Sequence, residues 1–472
     1  MIIIIMYNRV TNQHLDKIIS IVGNNEVIID ERIKEYAHDM TEDYNFPPEV
    51  VVKPQNTSQI SEILKLANKE KIPVTPIGAR TGLSGGMLCV YGGIGLSLEK
   101  LNQIIEIDND NLQATVEPGV ITQFLQNEVE KLGLYYPPDP SSKGSCFIGG
   151  NVAENAGGLH AVKYGTTKDY ILNLEVVLPN GEIIQTGANT LKNSTGYHLT
   201  QLLVGSEGTL GIITKITLKL IPLPKYRLLL KANFTSPYDA CKAVSQIFQN
   251  NVLPSALEFM EKDAIDFGQK YLHSFIEDIQ NIGAQLLIEV DGNHLDNLYL
   301  DIEKIYEVLL KFNLLGEPIL ADTYEKQEEI WKLRRCLGHA VKGTTIYKEE
   351  DTVVPRAKLA DLLAFVKKIG KEYGFQSVCY GHAGDGNLHV NIIKNDLDDK
   401  TWKETIPFYA IPKIFEFTKK LGGTISGEHG IGWVQKNYMP IMFNKTHLDL
   451  FKGIKRLFDP NHILNPGKIL PN

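Results

Sequence analysis

Hydrophobic and polar positions recur along this chain with two periods, and the changes between them divide it. Glu49-Val50-Val51-Val52 reads as a short apolar strand. In the next segment Ile60, Ile63, Leu64 and Ala67 fall on one face at helical spacing, with Thr57 or Ser58 placed to cap the helix. Ile72 to Pro76 is extended and runs into the glycine-rich stretch Ile77–Gly86. Leu174–Leu178 and Glu182–Ile184 flank Asn180-Gly181, the favoured pair of a type I′ hairpin turn. A strand over Lys215–Leu220 follows, and Pro222 and Pro224 then break the pattern, which sets a domain boundary near residue 223. From there to about residue 410, strand-like runs (Arg227–Ala232, Leu286–Val290) alternate with helical ones (Tyr238–Gln249, Leu298–Lys311, Ala357–Tyr373). That order predicts an antiparallel sheet with helices on one face, an α+β domain. In Leu388-His389-Val390-Asn391-Ile392 the period is two, so His389 and Asn391 share one face and the apolar residues the other.

Length and charge narrow the picture. A chain of 472 residues exceeds one hydrophobic core and implies two or three domains. With 43% hydrophobic and 22% charged residues the composition is that of an ordinary globular protein. The net charge of −8 and the lack of a basic tract argue against nucleic acid; a small anionic substrate has to be drawn in by local positive charge. Cys89, Cys146, Cys241, Cys336 and Cys379 are scattered and odd in number, which suits reduced thiols in a cytoplasm-like compartment. Met1–Met6 is apolar but too short to span a bilayer, and Met6 offers an alternative start. Peripheral attachment to a membrane partner stays open.

Three glycine-rich runs carry candidate chemistry. Gly78-Ala79-Arg80-Thr81-Gly82-Leu83-Ser84-Gly85-Gly86 follows a strand, and backbone N–H groups in such a loop can converge on a phosphate. Its spacing is neither the P-loop nor GxGxxG. Pro137–Gly158 is dense in small residues, as backbone lying flat against a large ligand requires. Its Phe147, Ile148 and Val152 argue against a flexible loop; Tyr135, Tyr136 and Phe147 read as core. The third run is Val204–Thr214.

The sharpest signal lies near the end: Gly381-His382-Ala383-Gly384-Asp385-Gly386-Asn387-Leu388-His389, then Gly427-Glu428-His429-Gly430. Two imidazoles and a carboxylate suit a divalent metal, and one further imidazole suits proton transfer. His382, His389 and Glu428 are the candidate ligands and His429 the candidate base. Asp385 and Asn387 fit either as groups that orient the imidazoles or as turn residues. His160, His198 and His339 carry no such pattern and read as structural.

These segments, with Ser426–Gly432 and Asn465-Pro466-Gly467-Lys468, occur in order over nearly the full length. Together they resemble the FAD-linked dehydrogenases of the vanillyl-alcohol-oxidase superfamily, in the branch of D-lactate dehydrogenase, the FAD subunit of glycolate oxidase and D-2-hydroxyglutarate dehydrogenase. The resemblance implies an α+β fold: a bipartite FAD-binding domain of PCMH type over 1–223, an α+β cap over 224–410, and a C-terminal helical segment over 411–472 that returns to the FAD domain. By motif, Pro76, Gly78, Ala79, Arg80, Thr81, Gly82 and Gly85 would cradle the pyrophosphate. Asp139, Ser141, Ser142, Gly144, Gly149, Gly150, Asn151, Asn155 and Gly158 would line the pyrophosphate and flavin. Glu207, Gly208, Gly211 and Ile212 would hold the adenine end. Thr81 stands where some relatives carry a flavin-linking histidine, which implies non-covalent FAD.

The implied reaction is oxidation of a D-2-hydroxy acid to the 2-oxo acid, with hydride passing to flavin N5, a metal orienting the substrate and His429 taking the hydroxyl proton. Zinc suffices, since the redox chemistry belongs to the flavin; manganese or iron(II) also fit the ligands. Arg334, Arg335 and Lys348 are candidates for the substrate carboxylate. The spacing of Lys348 to Pro355, and Gly338 in place of a hydroxyl residue, favour lactate or glycolate over a dicarboxylate. An alkylglycerone-phosphate-synthase-like enzyme without net redox, a metal-dependent hydrolase and a flavin-holding electron relay are the rivals. With no cysteine cluster of its own for an iron–sulfur centre, the chain needs a separate electron acceptor: oxygen, a quinone, an electron-transfer flavoprotein, a cytochrome or an iron–sulfur subunit. Oligomeric state is open, a homodimer included.

Overall fold

A computed structural model describes residues 7–41, 44–273 and 281–471; the apolar start Met1–Met6 lies outside them. The chain forms two compact units, one of residues 1–156, 166–223 and 428–472, the other of residues 157–165 and 224–427. The chain passes from one unit to the other at Leu223, where Pro222 and Pro224 stand. The expected 411–472 segment is divided, because 411–427 belongs with the second unit and only 428–472 with the first.

In the first unit, Val50–Val52 and Val74–Ile77 run parallel to Ile94–Ser97 on either side of it, and Val27–Ile28 adds an antiparallel edge. A second, antiparallel sheet has the order Ile104–Asp108, Gln113–Val116, Ile212–Lys219, Ile171–Val177, Ile183–Gln185. The helix Thr57–Glu70 buries Ile60, Ile63, Leu64 and Ala67 completely. Each of the larger three contributes about 1.5–3 kcal/mol by leaving water. Its cap is Asn56, whose side chain accepts from Gln59 N, rather than Thr57 or Ser58. Leu464 bridges to Val74, so the last residues of the chain join the first sheet.

The hairpin turn differs from the expected type. Gly181 N donates to Leu178 O, Gly181 has φ 86°, and Asn180 does not take positive φ. This is a turn with Pro179 at its second position, where the fixed φ of proline suits an ordinary turn, and a left-handed glycine closing it. The Pro137–Gly158 run also holds more order than a flat loop, with a helix over Ile148–Glu154. Tyr135 and Tyr136 are buried as core, whereas Phe147 is only half-buried.

The second unit is built on one seven-stranded antiparallel sheet of order Ile319–Ala321, Tyr226–Phe234, Ala284–Gly292, Ala256–Glu261, Gln376–Gly381, Asn387–Ile393, Tyr347–Val353. Helices cover both faces, not one. Ala264 and Ile265 of the helix Lys262–Leu272, and Leu333, Leu337 and Val341 of Tyr324–Thr344, pack with Met260, Leu287, Val378 and Tyr380. On the opposite face Lys367, from the helix Leu359–Tyr373, reaches Glu261 and Ser377 O. Every residue of Ala256–Glu261 and of Asn387–Ile393 is buried, as two covered faces require. Among the described residues no helix is long and apolar enough to cross a membrane, and all five cysteines are free and buried.

Candidate active site

The first unit contains a cleft of about 1330 Å³, its open mouth included. Its walls are the strand-to-loop segment Pro76–Gly82, the entrance of the helix Ile148–Glu154, the segment Glu207–Ile213, and Glu428 and His429. Gly78 and Gly150 have nothing within 4 Å of where a side chain would begin, so a ligand can lie against bare backbone there. These residues fit FAD.

Most of the expected cofactor positions line this cleft: Pro76, Gly78, Ala79, Arg80, Thr81, Gly82, Ser141, Ser142, Gly149, Gly150, Asn151, Glu207, Gly208, Gly211 and Ile212. Five do not. Gly85 is a positive-φ turn packed on Leu88 and Trp433, and Asp139 is buried with Lys143 3.8 Å away. Gly144 is exposed. Asn155 caps its helix in a left-handed conformation and accepts from Thr166 and Lys168. Gly158 belongs to the second unit. Phe147, expected in the core, lines the cleft, as do Asp39, Glu154 and Asn465, none of them among the expected cofactor positions.

Glu207 lines the cleft and also anchors the returning chain. Its two carboxylate oxygens accept from Ile431 N and Gly432 N, each at 2.7 Å. Beside it, a Cβ on Gly430 (φ 81°) would sit 2.0 Å from Glu154 Oε2, so only glycine fits next to His429. Burial pushes the Glu207 carboxyl up to about 7. Burial, then the charges of Glu207 and Asp39, raise Glu154 as well, and burial raises Asp39. Burial also lowers the Lys468 ammonium to about 8; its hydrogen bonds go to Leu88 O and Asn465 Oδ1 rather than to a carboxylate.

In the second unit His382 and His389 come together. The loop between their strands is tight: Gly386 has φ 85°, and a Cβ there would lie 1.9 Å from the Val354 carbonyl. The ring centroids are 5.4 Å apart and nearly perpendicular, and both side chains are buried. Strand pairing sets Asp351 opposite His389 and Glu349 opposite Asn391. Glu349 Oε1 and Asp351 Oδ1 each lie 3.7 Å from His389 Nδ1. Asp351 also accepts from Asn387 Nδ2 at 2.7 Å, Ser426 Oγ at 3.1 Å and Gly427 N at 2.8 Å, which secures the residues leading into Glu428. Asp385 accepts from Asn387 N at 3.2 Å and is a turn residue. Paired imidazoles in buried, carboxylate-rich surroundings fit a divalent cation.

A residue absent from the sequence reading completes this cluster. Glu258, fully buried, accepts from His382 Nδ1 at 2.8 Å and from Arg334 Nε at 2.8 Å. The guanidinium of Arg334 also lies 5.1 Å from the Tyr380 ring centroid. The signal that could have found Glu258 is a lone acid inside an apolar strand, costly unless paired.

The other two cationic candidates do not join the cluster. Arg335 is half-exposed and pairs with Glu328 along the same helix. Lys348 alternates with Glu349, so it projects from the sheet face opposite His389; its ammonium sits 4.8 Å from the Trp402 ring centroid. His160 pairs with Glu289 at 3.1 Å, and His198 caps the helix Leu199–Leu203.

The chain also matches known families and proteins. The family model for the C-terminal domain of FAD linked oxidases matches residues 223–469, and that for an FAD binding domain matches residues 48–187. The chain is 40% identical over 469 residues to a D-lactate dehydrogenase of Anaerostipes hadrus, covering 98% of each. It is 41% identical over 446 residues to glycolate oxidase subunit GlcD of Bacillus subtilis, covering 92% of this chain and 91% of that protein. Among solved structures, an alkyldihydroxyacetonephosphate synthase matches with TM-score 0.74 and 19% identity over 98% of this chain and 86% of its own, a likeness of fold alone.

Proposed function

This chain belongs to the FAD-linked 2-hydroxy-acid dehydrogenases and oxidases, and from that premise we propose that it oxidises a small D-2-hydroxy acid, D-lactate or glycolate, to the 2-oxo acid. Pro76–Gly82, Gly149–Asn151 and Gly208–Ile212 would hold FAD without a covalent link, and it would supply a two-electron acceptor there. A divalent cation, zinc in our reading, would be held by His382, His389 and Glu428 and would supply Lewis acidity toward the substrate oxygens. The observation that carries the proposal is the buried His382–His389 pair among carboxylates.

Each residue then has a task. Pro76–Gly82, Gly149–Asn151 and Gly208–Ile212 bind the dinucleotide along bare backbone. His429, on the cleft wall beside Gly430, takes the proton from the substrate hydroxyl. Arg334 places a buried positive charge near His382 for the substrate carboxylate. Arg335 and Lys348 fall out of this scheme, since one pairs along an exposed helix surface and the other faces Trp402. Thr81 offers no nucleophile suited to flavin linkage, so acid precipitation should release the flavin. Electrons leave to a separate acceptor protein or quinone.

The test is anaerobic mixing of the purified yellow protein with D-lactate, L-lactate, glycolate and D-2-hydroxyglutarate in turn. Bleaching of the flavin band by D-lactate or glycolate, lost after chelation, is expected. Bleaching by D-2-hydroxyglutarate alone would overturn the substrate assignment, and no bleaching by any of the four would overturn the reaction.

A further inference from the structure

Glu258 is an anomaly by burial alone. It sits at the centre of a seven-stranded sheet, 0% exposed, in a strand whose every residue is buried. A carboxylate there is tolerated only if its lone pairs are met. They are: Oε1 faces His382 Nδ1 at 2.8 Å, and Oε2 meets Arg334 Nε at 2.8 Å and Nη2 at 2.7 Å. An ionised carboxylate can only accept. Arg334 always donates, so Glu258 Oε2 accepts from it. His382 Nδ1 must therefore carry the hydrogen, and the lone pair of the neutral ring is left on Nε2.

We propose that Glu258 is the positioning residue of His382: it fixes the ring's tautomer and orientation so that Nε2 is presented as a donor to a divalent cation, with Arg334 holding Glu258 in place. This rests on the metal reading above and deepens it. Both oxygens of Glu258 are occupied and it is sealed from solvent, so it acts through His382. The arrangement also gives Arg334 a second employment, because its Nε edge is committed to Glu258.

The experiment uses full-length flavoprotein as wild type, Glu258→Gln and the double variant Glu258→Met/Arg334→Leu. The double variant removes both buried charges together, so neither is left uncompensated and folding is protected. Zinc affinity is measured by competition with a chelator, with flavin content and melting temperature as controls of the fold. Nitrogen NMR of ¹⁵N-histidine, with His382 assigned by its loss in His382→Asn, reports the tautomer. Both variants should bind zinc about 10–100-fold more weakly with flavin content unchanged, and wild-type His382 should carry its hydrogen on Nδ1. Equal zinc affinity in wild type and both variants, or hydrogen on Nε2 in the wild type, overturns the proposal and leaves the metal reading standing. A wild type that takes up neither zinc, manganese nor iron(II) overturns the metal reading, and the proposal with it.

Discussion

Among the described residues, two buried histidines of the second unit meet a glutamate at hydrogen-bond distance, the two glutamates lying on adjacent strands, and only one of these pairs reads as a site. His382 meets Glu258 at 2.8 Å and His160 meets Glu289 at 3.1 Å. Glu258 and Glu289 lie on the neighbouring strands Ala256–Glu261 and Ala284–Gly292. Around His382 stand a second imidazole, His389, and the guanidinium of Arg334. Around the other pair, Ser255 donates to Glu289 at 2.8 Å, and Lys163 and Tyr164 bind Asp291. Those contacts tie segment 157–165 to the sheet. A buried imidazole beside a carboxylate is thus no sign of catalysis by itself; what marks a site is a second donor group brought to the same place.

The largest expected effect separates the two pairs on activity. His382→Ala should lower kcat/KM for the preferred hydroxy acid by about 10³-fold, the equivalent of several kcal/mol of charge stabilisation. His160→Gln should stay within about tenfold at 25 °C. It should instead destabilise the fold by about 1–3 kcal/mol, because the buried Glu289 loses a hydrogen-bond partner. Steady-state kinetics and urea unfolding on the same preparations check both. A His160 variant as inactive as the His382 variant, yet as stable as wild type, would erase the distinction.

A smaller effect concerns pH. Burial alone would raise the Glu289 carboxyl, but the hydrogen bond and charge of His160, with the charge of Arg227 and the hydrogen bond of Ser255, outweigh it and hold the group at about 2. A carboxyl with a depressed folded value contributes stability above its unfolded value, about 4.5, and loses it as pH falls toward about 2. Glu207, in the first unit, has the opposite sign. Its burial is answered by the neutral N–H groups of Ile431 and Gly432 and by the charge of Lys468, which leave it at about 7. Its contribution is present below about 4.5 and is lost as pH rises through about 7. Urea midpoints from pH 3 to 8 should therefore show an acid limb that His160→Gln flattens and a neutral limb that Glu207→Gln flattens, each by about 1–3 kcal/mol. Loss of the acid limb in the Glu207 variant would reverse the assignment.

The parts of this molecule readable in the sequence are those with local causes. The helix Thr57–Glu70 was legible from its apolar spacing, and the cleft from glycines whose use is to have no side chain. His382 and His389 were legible because they stand in one short glycine-rich segment. Glu258 was not: its partners are 76 and 124 residues away, and an acid in Ala256–Glu261 looks like one more alternating position. The second layer of helices was hidden for a related reason, since a strand buried on both faces has no period of two to display. Lys348 stands on the sheet face opposite His389, a matter of parity that strand register fixes and linear spacing does not reveal. The hairpin turn followed Pro179, whose fixed φ outweighs the preference of Asn-Gly.

The smallest effect should come from Arg335, and it is the strictest check on reading function from position. Arg334 and Arg335 are neighbours in one helix, yet helical geometry turns them about 100° apart. Arg334 is 7% exposed and committed to Glu258. The Arg335 guanidinium meets Glu328 at 2.6 Å with both side chains well exposed. An exposed ion pair of this kind contributes about 0.2–1 kcal/mol and weakens in salt. Arg335→Ala should therefore shift the urea midpoint by no more than that, less in 0.5 M salt (about a 4 Å screening length), and should leave kcat/KM within about twofold. Arg334→Leu alone should lose both stability and turnover, since it strands a buried carboxylate beside His382. If Arg335→Ala instead raised KM tenfold with stability unchanged, the substrate carboxylate would have to meet Arg335 in the working enzyme, and the role assigned to Arg334 would reduce to holding Glu258.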